Sequence, residues 1–138
     1  MFDLHGTDRI AAWKQFRDGL EISDHPLEEV AELWSHAPFV STYLDPKNPT
    51  EWPDPWRLIL DLRLDDLAIV LGMLYTIKLT RRFIHTECEI HTSTTPEKKD
   101  PLYFLIVDKK HVLNLEYKNV VSVENLKDFK TKLIWSKK

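Results

Sequence analysis

The sequence has a single cysteine, Cys88, among 138 residues. That excludes an internal disulfide and any zinc site built on several thiolates. Glycine is scarce too: the chain has three, none clustered, so no glycine-rich loop is present to cradle a phosphate. The longest apolar stretch, residues 67–77, has eleven residues, whereas a membrane-spanning helix needs about 20. No sign of charge dominates, since 19 basic and 22 acidic residues leave a net charge of −3. Such a balance gives no general field for nucleic acid or an anionic membrane. The opening residues lack the cationic-then-apolar pattern of a secretion signal, so a non-secreted chain is expected. No G-x-S-x-G, H-E-x-x-H or C-x-x-C motif occurs, and no internal repeat.

What is present reads as one domain over 1–138, mostly helical in 1–81 and mostly antiparallel strands in 82–138. Thr7 or Asp8 is the candidate cap for a first helix with Ile10, Trp13, Phe16 and Leu20 at helical spacing, ending near Gly19. Pro26 suits the first turn of a second helix, whose buried stripe is Leu27, Val30, Ala31 and Trp34. Asp54 and Pro55 form a cap and first position for a third. Residues 64–79 make the strongest helix, apolar nearly all round and acidic at its start. Gly72 in its middle costs about 1 kcal/mol against alanine, which a close crossing by another element would justify. From residue 82 the period changes to two, and strands follow at 102–108, 111–117 and 120–123, with a short helix and a last strand after them. The fold class is therefore α+β, N-terminal helices packed on a C-terminal antiparallel β-meander.

Residues 82–92, RFIHTECEIHT, gather two histidines, two glutamates and the lone thiol. Alternation puts Cys88 with Ile84 and Ile90 on one face and His85, Glu87, Glu89 and His91 on the other. The thiol and the imidazoles then cannot meet, and Cys88 is expected to be a core residue rather than a nucleophile. Four ligands strung along a strand cannot converge on one ion, so a solvated sheet face is the expectation and no metal or other cofactor is implied. Asp108 and His111 are the nearest candidates to supplement that face. The connector over residues 38–56, PFVSTYLDPKNPTEWPDPW, is stiff with proline and rich in aromatic rings. Phe39, Tyr43, Trp52 and Trp56 are expected to form a protein interface, because preorganised aromatic residues dominate interface energy. The competing expectation is that these rings cover the apolar helix at 67–77.

The segments MFDLHGTDRI, WKQFRDGLE, PFVSTYLDP, WPDPWRLILD and LDDLAIVLGMLYTIKLT resemble small uncharacterised proteins of large contractile-tailed phages that infect cyanobacteria. The resemblance implies a viral, non-enzymatic structural or assembly protein of the neck, tail or baseplate, in the virion or the host cytoplasm. Its partners would be other virion proteins or further copies of itself, with no nucleic acid or membrane. The alternative is a small phage protein that binds and modulates a host factor. In order of elements, a long helix followed by antiparallel strands is also similar to transglutaminase-like thiol enzymes. There a nucleophilic cysteine opens the helix and a histidine sits on a following strand. Here Leu64, Asp65 and Asp66 open the helix, so this likeness implies a catalytically inactive relative.

Overall fold

The computed structural model describes residues 1–40, 44–95, 98–116, 118–127 and 129–137. Four helices, α1 (Gly6–Leu20), α2 (Pro26–Ser35), α3 (Pro55–Asp61) and α4 (Asp66–Lys78), precede five strands: β1 (Cys88–Thr95), β2 (Lys98–Val107), β3 (His111–Glu116), β4 (Asn119–Ser122) and β5 (Thr131–Lys137). All strand pairs are antiparallel, in the order β4-β3-β2-β1-β5. The α+β class holds, but the sheet is not a plain meander. β5 leaves β4 and crosses to the opposite edge, where it pairs with β1 from Cys88↔Lys137 to Ser93↔Thr131.

The expected cap appears at α3, where Asp54 accepts the Arg57 N–H at 2.8 Å with Pro55 in first position. At the acidic start of α4, Asp65 accepts the Ala68 N–H at 2.8 Å. α2 begins at Pro26 and buries Leu27, Val30, Ala31 and Trp34. α1 differs: it starts at Gly6 after His5, with no side-chain cap, and runs through Gly19 to Leu20. Arg9 holds this end instead. Its buried guanidinium donates to the carbonyls of Leu4, Ile59 and Leu60 at 2.9, 2.8 and 3.2 Å, tying α1 to the last turn of α3.

α4 is the hub. Leu67, Val70, Leu71, Leu74 and Ile77 are buried around its circumference, as an all-round apolar helix requires. Gly72 meets the six-membered ring of Trp34, and a Cβ there would overlap that ring's carbons, well inside van der Waals contact. One turn on, the buried Thr76 hydroxyl accepts the indole N–H of both Trp13 and Trp34, each at 3.0 Å, and donates to the Gly72 carbonyl at 2.7 Å. A hydroxyl offers one donor and two acceptor sites, and all three are used where α1, α2 and α4 meet.

After α4 the period-two alternation misleads. Residues 84–87 are not strand: a 3-10 turn at Arg81–Phe83 is followed by a loop, and β1 begins only at Cys88. Lys78 explains the loop, since its ammonium binds the carbonyls of Phe83, Ile84 and Thr86 at 3.4, 2.9 and 2.7 Å. Ile84 is consequently exposed rather than in line with Cys88 and Ile90, which are buried. The outer sheet face also departs from expectation. Phe104, Ile106 and Val112 form a second small core there, roofed by Leu126 from the 3-10 turn Val123–Leu126 and flanked by Val123 and Phe129.

Candidate functional site

In this architecture a reactive group could be presented at the start of α4, where unpaired N–H groups and the helix dipole favour an anion. Here that position is filled. Asp65 spends one carboxylate oxygen on the Ala68 N–H and the other on the Leu44 N–H at 2.9 Å. Leu64 beside it is fully buried, and its carbonyl accepts the Val40 N–H at 3.0 Å. The helix start is thus used to anchor the connector.

The thiol is elsewhere. Cys88 is 0% exposed on β1, facing the helices. Burial pushes its pKa up from 9.0 to about 11, against the pull of Lys78. A nucleophilic thiol needs the opposite shift and a neighbouring base.

The two histidines and two glutamates are divided by the late start of β1. His85 is exposed in the loop, and Glu87 lies 3.8 Å from Lys109. Only Glu89 and His91 share the outer strand face, 3.7 Å apart. His91 stacks on Phe104 with ring centroids 6.0 Å apart, its ring nitrogens without hydrogen bonds. The face expected to be solvated is therefore partly covered by the second core. Among the described residues no group of three or more metal-ligating side chains comes together. Asp108 and His111, on either side of the β2–β3 turn, line a small cleft of about 260 Å³ with Glu28 and Arg82.

The connector's aromatic rings have different fates. Phe39 is 64% exposed. Tyr43 lies outside the described residues. Trp52 is half-buried against the main core and donates its indole N–H to the Asp45 carbonyl at 2.7 Å. Trp56 is 46% exposed and meets Trp13 edge-on at 5.7 Å. The guanidinium of Arg17 lies over both indoles, 4.5 Å from Trp13 and 5.8 Å from Trp56. Trp56 thus covers α1 rather than the apolar helix. From the same segment, the Pro53 carbonyl accepts the Tyr75 hydroxyl at 2.6 Å.

One concavity was not anticipated. A groove of about 830 Å³ runs between α2 and β4, with Phe16, Leu33, Val120 and Val121 in its lining. Glu28, Glu29, Glu32 and Glu116 add carboxylates to it, with Lys118, His36 and Asn119.

These features define a helical layer on a five-stranded antiparallel sheet, with the apolar helix α4 packed on the strands. Among solved structures, the chain is similar to Legionella pneumophila LapG in its calcium-bound form. The TM-score is 0.67 over 95% of this chain and 75% of LapG, at 16% identity. That likeness shows the fold and nothing more. No family model and no curated protein matches the sequence.

Proposed function

We propose that this chain is a non-enzymatic binding or assembly module built on a transglutaminase-like frame. The observation that carries the reading is the start of α4. Where the thiol enzymes of this fold open the helix with a cysteine, this chain has buried Leu64 and the doubly engaged Asp65. The chain's one thiol, Cys88, is buried and its pKa is raised, which supports the same reading. Exposed Phe39 and Trp56 give the connector apolar surface for a partner. The sequence resemblance to phage proteins suggests that the partner belongs to a virus particle.

A quenched-peptide library and a thiol-directed activity probe test the first half of this proposal. No turnover and no labelling of the native chain are expected, and turnover abolished by Cys88→Ser would overturn it. Mass spectrometry of purified virions tests the second half. Abundance in infected cells with absence from particles would remove the virion setting.

A further inference from the structure

We infer that the open edge of β4 takes up an extended, basic and apolar segment of a partner polypeptide as a sixth strand. This rests on the reading of the chain as a binding module and names the kind of partner it would hold.

β4 ends the sheet order, so no strand among the described residues pairs with its outer side. An unpaired edge is a template for strand addition, and proteins ordinarily blunt such edges with lysine, proline or a covering element. Within β4, Asn119-Val-Val-Ser122, there is neither lysine nor proline. The groove of about 830 Å³ takes in Val120 and Val121. Val120 packs on the main core and Val121 on the second, so the groove reaches both sheet faces at this edge.

The lining fixes the chemistry of the occupant. Phe16, Leu33 and Val120 give an apolar floor. Glu28, Glu32 and Glu116 are exposed along the rim, with Lys118 beside them. His36 lies 3.1 Å from Glu32 and belongs to the same rim. Main-chain hydrogen bonds to β4 would supply affinity whatever the sequence, while the floor selects apolar side chains and the carboxylates select lysine or arginine. The chain's net charge is only −3, so the rim is a local concentration of negative charge and not a general property of the surface.

The test uses the full chain and a short fluorescent peptide alternating lysine and valine, with its glutamate–valine counterpart as control. Binding is read by anisotropy, and the site by hydrogen exchange. The basic peptide is expected to bind, to weaken as salt is raised, and to protect amides of residues 119–122. The double variant Glu28→Lys, Glu32→Lys changes exposed side chains only. Circular dichroism checks that it folds, and it should bind about tenfold or more weakly. Equal binding of the acidic peptide, an unchanged double variant, or protection away from β4 would each overturn the inference. Sedimentation that shows a dimer with β4 protected would assign the edge to a second copy and overturn it too. If the groove fails while partner binding is lost on substituting Phe39 and Trp56, the binding-module reading stands without it. Turnover dependent on Cys88 would sink that reading instead.

Discussion

Replacing Thr76 by valine keeps the shape of the side chain and removes one hydroxyl. Among the described residues that hydroxyl is the acceptor for the indole N–H groups of both Trp13 and Trp34, each at 3.0 Å. The two rings are 0% and 1% exposed, so water cannot replace it. Leaving a buried donor unsatisfied costs about 1–3 kcal/mol, which gives about 2–6 kcal/mol for the pair. The added methyl returns at most about 0.8 kcal/mol. Thr76→Ser is the control: it keeps the hydroxyl and loses a methyl, at about 1 kcal/mol. Domains of this kind are stable by about 5–15 kcal/mol, so the valine variant should lose a large share of that margin. Urea unfolding followed by tryptophan fluorescence measures both variants, with the m-value held to the wild-type figure. A valine variant as stable as the serine variant, or more so, would refute the hub.

Other outcomes follow from the same geometry. Gly72→Ala presses a methyl into van der Waals overlap with the Trp34 ring and should destabilise by about 1–3 kcal/mol or more, visible as a lower urea midpoint. Cys88 should resist alkylation in the native chain and react on unfolding, since its thiol is buried with a pKa near 11; rapid labelling of the native chain would contradict its placement. Burial of Cys88 and Tyr75 also makes stability pH-dependent, because their pKa values rise from 9.0 and 10.0 to about 11 and 12. Above pH 9 the unfolded chain loses these protons first, so stability should be intact below that pH and fall through the alkaline range; a flat profile in thermal melts from pH 8 to 11 would count against it. Trp52→Ala should lower stability by removing a half-buried ring and its bond to Asp45, whereas Phe39→Ala should leave the melting temperature nearly unchanged.

Much of the helical half was legible because its signals are local. The Asp54–Pro55 cap, the acidic start of α4, the stripe of α2 and the crossing at Gly72 depend on residues near each other in sequence, or on a spacing that demands a neighbour. Residues 84–87 were misread because alternation is a local pattern, and the Lys78 ammonium that holds their carbonyls is a tertiary partner. The second core eluded the sequence for a similar reason. Its Leu126 roof comes from the short helical turn expected after residue 123, but the side of the sheet which that turn covers is set by tertiary packing. The groove draws on α1, α2 and the β3–β4 region, so no short motif could announce it. The burial of Cys88 was legible from strand alternation, since Cys88 and Ile90 do share the buried face.

The pairing of β5 with β1 has a consequence for how the chain comes off the ribosome. β1 can form a ladder with β2 as soon as residues 98–107 have emerged, but its other side waits for residues 131–137. During that interval the strand carrying Cys88 and Ile90 is a bare edge, beside helices that are already able to pack. Contacts closing over some 40 residues are slow to form, and an uncovered edge is where nascent chains stick to one another. Synthesis at an elevated temperature, or a stop codon placed before Thr131, should therefore drive the protein into aggregates even though every helix is intact.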